Sequence, residues 1–159
     1  KRNTKPRKDK TMNNLSEIRE LAASLIRDHG LHDWSFKFDN AKRRAGVCKQ
    51  RKKIIGLSRY SATNNSLETV KDTILHEIAH ALVGAHNGHN RIWKNKAMEI
   101  GCTGDRCYDP IKVNMPKGKY IGHCGCEKPK YRHRKPRGKE YRCRACGVTF
   151  SFQVNLFGV

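Results

Sequence analysis

Apolar residues recur at helical spacing in three segments of the chain, and each segment carries signals for a helix. In the first, Asn14 precedes apolar positions three and four residues apart, and Gly30 follows them. This pattern predicts a capped amphipathic helix. The second segment begins at Asn65 and ends at about Val83, and the third covers residues 91–100. The sequence therefore predicts three helices.

Between the first two helices the apolar pattern changes to alternation. Trp34, Phe36 and Phe38 alternate with polar residues, which predicts a half-buried strand. Two more apolar runs, residues 45–48 and 53–57, are separated by a polar stretch and predict two further strands. Helices combined with short strands indicate an α+β domain with a small antiparallel sheet.

Beyond Pro110, long periodic segments give way to Gly, Pro, Lys and Cys. We therefore expect a domain of residues 13–110 and a small basic appendage of residues 111–159. Residues 1–12 are basic and show no periodicity, which predicts a disordered arm. This arm lacks the apolar run of a secretion signal, and no apolar run approaches the length of a membrane span. We therefore expect a cytoplasmic protein without membrane contact.

The composition indicates a polyanionic partner. The 159 residues include 34 Lys and Arg against 14 Asp and Glu, a net charge of +20. Such a charge attracts nucleic acid, the commonest polyanion in the cell. The cations cluster in the N-terminal arm, in residues 42–53 and in the appendage. We expect DNA contacts from nine of them: Lys42, Arg43, Arg44, Arg51, Lys52, Arg132, Arg134, Lys135 and Arg137.

The second predicted helix carries the motif His-Glu-Ile-Ala-His at residues 76–80. His76 and His80 are four residues apart and share one helical face, where two imidazoles can bind one zinc ion. Glu77 lies about 100° around the helix from His76, where it can accept a proton from a water at an open coordination position. An apolar stripe elsewhere on the helix provides its packing face, which argues against two ordinary surface histidines. The stripe consists of Leu67, Val70, Ile74, Ile78 and Leu82.

A catalytic zinc ion needs a third protein ligand, and two histidines follow the motif. His86 lies six residues past His80, in a stretch typical of a loop. His89 stands at the start of the third helix, four residues before Trp93, which can pack beneath it. We favour His89 as the third ligand and keep His86 as the alternative.

The appendage contains two close pairs of cysteines: Cys124 with Cys126, and Cys143 with Cys146. Two tight pairs of thiolates are typical of a zinc ribbon with a structural zinc ion. Metal binding would supply the folding energy that so small a segment lacks. Because a single residue separates the first pair, His123 is an alternative ligand to Cys124. The other cysteines are interpreted as core or structural thiols: Cys48, Cys102 and Cys107.

Aromatic residues are interleaved with the cations between the two cysteine pairs. Tyr131, His133 and Tyr141 lie among the Lys and Arg of residues 128–144. This combination favours single-stranded or distorted DNA, through phosphate attraction and base stacking. The alternative is a solvated loop of the ribbon. We expect DNA contact without sequence specificity.

Several of these segments resemble the SprT-like (Spartan-type) family of zinc metalloproteases. The similarity covers roughly residues 15–152. It rests on Trp34, Phe36 and Phe38, on residues 45–48, 55–59 and 72–80, on Gly88-His89 with Trp93, and on residues 100–102.

This resemblance implies a zincin-type α+β protease domain in which His76, His80 and His89 bind the catalytic zinc ion and Glu77 is the catalytic residue. It also implies proteolysis of proteins bound or crosslinked to DNA, as in DNA repair. The sequence thus predicts a zinc-dependent endopeptidase with one catalytic and one structural zinc ion. The competing hypothesis is a zinc-ribbon nucleic-acid-binding protein without protease activity.

Overall fold

The computed structural model describes residues 13–105 and 115–156. The chain divides into two compact units, of which the first ends at Met115 and the second begins at Pro116. The predicted arm at residues 1–12, the predicted boundary near Pro110, and Cys107 lie outside the described residues. No helix in the described part of the chain is long and apolar enough to cross a membrane.

The described part of the first unit contains four α-helices. They are α1 (Leu15–Asp28), α2 (Arg59–Asn64), α3 (Leu67–Val83) and α4 (Arg91–Glu99). Asn14 caps α1 as predicted, with its side chain accepting a hydrogen bond from the Ser16 N–H at 2.9 Å. The helix predicted from Asn65 begins two residues later, because the Ser66 side chain caps it by accepting from the Thr69 N–H. Helix α2 was not predicted, since six residues are too few for a helical period to show.

The sheet of the first unit is mixed, so the predicted antiparallel sheet is wrong in this respect. Its strands are β1 (Ser35–Asp39), β2 (Gly46–Lys49) and β3 (Ile54–Ser58), in the order β1-β3-β2. A tight turn of residues 50–53 joins β2 to β3, which run antiparallel. Strand β3 is the most buried of the three and takes the centre, so β1 lies on its other side, where it runs parallel to β3.

Helix α3 contacts the sheet, α1 and α4, and is buried on more than one side. The middle of its predicted apolar stripe is in the core, but Leu67 and Leu82 at the ends are 51% and 37% exposed. Leu75, Ala79 and Ala81, from other sides of the helix, are buried instead. The helix thus holds its histidines within packed surroundings. Cys102 is buried in the same core, and Cys48 packs against it.

The second unit consists of short strands. They are β4 (Tyr120–Gly122), β5 (Lys130–Arg132), β6 (Tyr141–Arg142), β7 (Thr149–Phe150) and β8 (Phe152–Val154). Strands β4, β5 and β8 form an antiparallel sheet in the order β5-β4-β8, and β6 pairs with β7 in a second, two-stranded sheet. Tyr141, Phe150 and Phe152 pack together with ring centroids 5.1–6.4 Å apart. The segment between the cysteine pairs, for which a solvated loop was the alternative interpretation, contains β5 and β6.

Candidate metal centres

Three histidines of the first unit bring their ring nitrogens to one point. His76 and His80 lie one turn apart on α3, and His89 lies in the connection between α3 and α4. The Nε2 atom of His89 is 3.0 Å from that of His76 and 3.1 Å from that of His80. These nitrogens are close enough together to bind a single ion.

The connection after α3 returns the chain so that His89 reaches the other two histidines. Gly84 ends α3 at a φ of 87°, and Gly88 has a φ of 52°, conformations that favour glycine. Between them the Asn87 side chain donates to the Val83 carbonyl at 2.6 Å. Asn90 then caps α4 by accepting from the N–H groups of Ile92 and Trp93. His86 lies in the same connection but outside the histidine group, with its Nε2 atom 3.1 Å from the Asn87 side-chain nitrogen.

The separations of the histidine nitrogens fit a zinc ion. Ligand atoms at 2.0–2.1 Å from a tetrahedral centre lie about 3.3–3.4 Å from one another, close to the 3.0 and 3.1 Å observed. Burial, and then the neighbouring histidines, lower the pKa of His76 to about 4, and burial and His89 do the same for His80. Both imidazoles are therefore neutral at pH 7, with a lone pair available for a metal.

Trp93 lies against all three histidines, as its position in the sequence predicts for His89. Its side chain is 1% exposed. The indole centroid is 4.6 Å from that of His76, 5.2 Å from His80 and 4.6 Å from His89. One buried side chain of α4 thus supports the orientation of every ring in the group.

Glu77 is buried between α3 and the edge strand β2, with 8% of its surface exposed. The backbone N–H of Cys48 lies near its carboxylate. Burial raises the pKa of Glu77 to about 7, against the opposing effects of the Arg44 charge and the Cys48 N–H. A carboxyl group with this pKa can accept or donate a proton near neutral pH.

In the predicted basic tract of residues 42–53, some cations contact other residues of the protein and others are exposed on the surface. Arg44 is half-buried and donates to the Asp39 carboxylate at 2.6 Å. Lys42 lies 5.4 Å from the centroid of the Tyr60 ring. The remaining predicted cations of this tract are exposed: Arg43, Arg51 and Lys52. Arg44 therefore differs from the other predicted cations, because it is half-buried and forms an ion pair with Asp39.

In the second unit, Cys124, Cys126, Cys143 and Cys146 bring their sulfur atoms within 4.8 Å of one another. The Sγ atoms of Cys126 and Cys143 are 3.7 Å apart, and thiolates 2.3 Å from a tetrahedral zinc ion lie about 3.8 Å apart. Backbone N–H groups lower the pKa of Cys143 and of Cys146, whereas hydrogen bonds to the other cysteines, Cys124 first, raise that of Cys126. This group is also compatible with zinc, and the exposed His123 lies outside it.

A cleft of about 490 Å³ adjoins the cysteine group and combines cations with aromatic rings. Its lining includes Lys130, Arg132, Tyr141, Arg142, Cys143, Arg144, Phe150 and Phe152. The Arg132 guanidinium carbon lies 5.0 Å from the Tyr141 centroid and 5.5 Å from that of Phe152. The predicted cations Arg134, Lys135 and Arg137 are exposed and do not line the cleft. Arg142 and Arg144, on either side of Cys143, belong to the predicted basic segment of residues 128–144 but not to the nine cations named for DNA contact. Their positions beside a predicted ligand were a usable signal.

Comparison with known proteins agrees with the resemblance seen in the sequence. The model of the SprT-like family matches residues 16–115, which is well over half of the chain and includes the three histidines and Glu77. Comparisons with curated proteins and with solved structures find no match. The match confirms the predicted family, and this chain belongs to the SprT-like family.

Proposed function

We propose that this protein is a zinc-dependent endopeptidase. The observation that carries the proposal is the histidine group beside the buried Glu77 carboxyl: the Nε2 atom of His89 lies 3.0 Å from that of His76 and 3.1 Å from that of His80, both on the helix that carries Glu77. A catalytic zinc site needs three protein ligands and a proton acceptor. Membership of the SprT-like family supports a metallopeptidase activity.

In this proposal His76, His80 and His89 hold the metal, and the Glu77 carboxylate moves the proton. A bound zinc ion would polarise the scissile carbonyl and lower the pKa of water. Glu77 accepts a proton from the attacking water and delivers it to the nitrogen of the leaving amine. The neighbouring Arg44 charge and the Cys48 N–H both favour the ionised form of the carboxyl.

The edge of the sheet provides a means of holding an extended peptide. Strand β2 lies at the edge, with β3 on one side, and its Cys48 N–H faces the Glu77 carboxylate. An extended peptide can add to such an edge through backbone hydrogen bonds. A peptide bound along β2 would pass beside Glu77, and backbone pairing of this kind favours unfolded segments with little sequence preference.

We further propose that the substrates are proteins bound or crosslinked to DNA. The cleft of the second unit supports this, because its cations suit phosphates and its aromatic rings suit stacked bases. The exposed Arg51 and Lys52 add positive charge to the first unit. Contacts of this kind favour single-stranded or distorted DNA and do not select a base sequence.

The test is cleavage of a DNA-binding protein by the zinc-loaded full chain, with and without single-stranded DNA. Glu77→Gln should retain both zinc ions and lose about 10²–10⁴-fold in turnover, because a general base is removed. Glu68→Gln is the matched control, since Glu68 is an exposed glutamate in the first turn of the same helix, and it should cleave normally. Wild-type turnover by Glu77→Gln would contradict the proposal. If the wild-type chain and its variants bind DNA but none of them cleaves the protein, a nucleic-acid-binding protein would be favoured instead.

A further inference from the structure

Strand β2 passes close to the side chain of Glu77 at Gly46. A Cβ atom at position 46 would lie 2.7 Å from the Oε1 atom and 2.8 Å from the Cγ atom of Glu77. It would also lie 3.0 Å from the methyl group of Thr73. Ordinary contacts between such atoms are about 3.5–4.0 Å. The Glu77 side chain therefore occupies the space that any side chain at position 46 would need.

Space, and not backbone conformation, makes Gly46 necessary. Its φ is not among the positive values found at Gly30, Gly84 and other glycines, so an alanine could adopt the same backbone. The close approach to Glu77 is thus the feature of this position that an alanine cannot reproduce.

The Glu77 side chain has neighbours on two sides. Thr73 lies one turn earlier on α3, and its hydroxyl donates to the Thr69 carbonyl at 2.9 Å, which holds its methyl group in place. On the other side lies strand β2, with Gly46 against the side chain and the Cys48 N–H near the carboxylate. The carboxyl is thus held between a helix turn and a strand.

We propose that Gly46 is a positioning residue for Glu77, because its missing side chain allows the carboxyl to occupy its place between α3 and β2. The catalytic consequence rests on the proposed function, in which Glu77 moves the proton. The contact itself does not depend on that function. The two can therefore be tested separately.

The first test is Gly46→Ala in the zinc-loaded full chain. The nearest obstructing atoms belong to a flexible side chain, so we expect the chain to fold with Glu77 displaced. A displacement of about 1 Å can cost 10²-fold in rate, and we expect kcat to fall at least about tenfold, with KM within about twofold. Zinc content should be unchanged, since Gly46→Ala removes no ligand.

Gly56→Ala is the matched control. A Cβ atom at Gly56 would lie 2.7 Å from the Val47 side chain, a comparable clash in the same sheet that does not involve Glu77. We expect it to lower the melting temperature without lowering the kcat of the folded enzyme. A fall in kcat equal to that of Gly46→Ala would show a general effect on the sheet and overturn the inference.

The second test measures the coupling of Gly46 and Glu77 through stability and needs no activity. Glu77→Ala removes the Cγ and Oε1 atoms that the new Cβ would meet. Gly46→Ala should therefore lower the melting temperature clearly in the wild-type background and much less in the Glu77→Ala background. This cycle also decides the case in which Gly46→Ala folds poorly, because Glu77→Ala should then restore folding.

The outcomes separate the inference from the proposed function. Equal losses in melting temperature in both backgrounds would overturn the inference, as would wild-type kcat in a folded Gly46→Ala variant. Wild-type turnover in Glu77→Gln would overturn the proposed function, while the coupling in melting temperature would remain.

Discussion

The indole ring of Trp93 stacks on the imidazole of His80, with the ring planes 26° apart and the centroids 5.2 Å apart. The same indole meets the ring of His89 nearly edge-on, at 84°. Because Trp93 is buried on α4 while His80 belongs to α3, the orientation of a candidate ligand depends on the packing of another helix. The geometry of the histidine group therefore depends on the packing of the core of the first unit.

Replacing Trp93 with Phe should weaken zinc binding at the histidine group. The smaller ring supports the imidazoles less well, and changes in groups around metal ligands typically cost 10–100-fold in affinity. Competition with a zinc-sensitive dye measures this effect. Trp34→Phe is the matched control, since Trp34 packs against the core but is not part of the histidine group, and its zinc affinity should stay within about twofold. Unchanged affinity in Trp93→Phe would mean that the ligands orient themselves.

The two histidines of the α3–α4 connection should respond differently to substitution. His89→Ala removes one of the three converging nitrogens, so we expect about one zinc ion per chain to be lost, together with peptidase activity. His86→Ala removes an imidazole outside the group and should retain both ions. Metal analysis of the purified variants makes the comparison, and the opposite result would assign the third ligand to His86.

Metal removal should unfold the second unit before the first. Its apolar packing consists largely of Tyr141, Phe150 and Phe152, too little surface to hold so small a unit without a metal. Cys143→Ser should lose one zinc ion, and hydrogen exchange at residues 120–154 should rise while α3 stays protected. Cys48→Ser, outside the cysteine group, should keep both ions. Full protection of residues 120–154 in the absence of metal would contradict this prediction.

The ion pair between Asp39 and Arg44 should make stability depend on pH. Burial alone would raise the pKa of Asp39, but the Ala41 N–H and the Arg44 guanidinium outweigh it and hold the pKa below 3.8. A carboxyl with a lowered pKa stabilises the fold above its unfolded pKa, and the effect is lost as the pH falls through the folded value. Asp39→Asn should thus melt lower than wild type at pH 6, and the difference should shrink below about pH 3.8. Glu20→Gln, an exposed control, should change the melting temperature little at either pH.

The cleft cations should dominate the salt dependence of DNA binding. Replacing Arg132, Arg142 and Arg144 together by Gln removes three potential phosphate contacts. The slope of log affinity against log salt for single-stranded DNA should then become shallower by about 2, because each phosphate contact contributes about 0.7. The charge-matched control replaces three cations of the first unit, Lys71, Arg91 and Lys94, and should keep most of the slope. Equal changes in both variants would mean that net charge alone attracts DNA.

Much of the molecule could be predicted from the sequence because the relevant signals are local. Residues three and four apart share a helical face, so the periodicity predicted α1, α3 and α4 and placed His76 and His80 together. The paired spacing of the cysteines likewise predicted a metal site of four sulfur atoms without knowledge of the fold. Even the preference for His89 used a local relation, its distance of four residues from Trp93.

Other features depended on contacts between residues far apart in the sequence. Glu77 is buried because β2 lies against it at Gly46, thirty-one residues earlier. The central place of β3 between β1 and β2 reflects its deep burial, and the cleft is lined by residues of four strands, β5 to β8. A sequence pattern records which residues recur at a given spacing but not which distant segment packs against them. The sequence by itself therefore determined the chemistry available to this protein, and the tertiary structure decided which nitrogens converge and where the carboxyl lies.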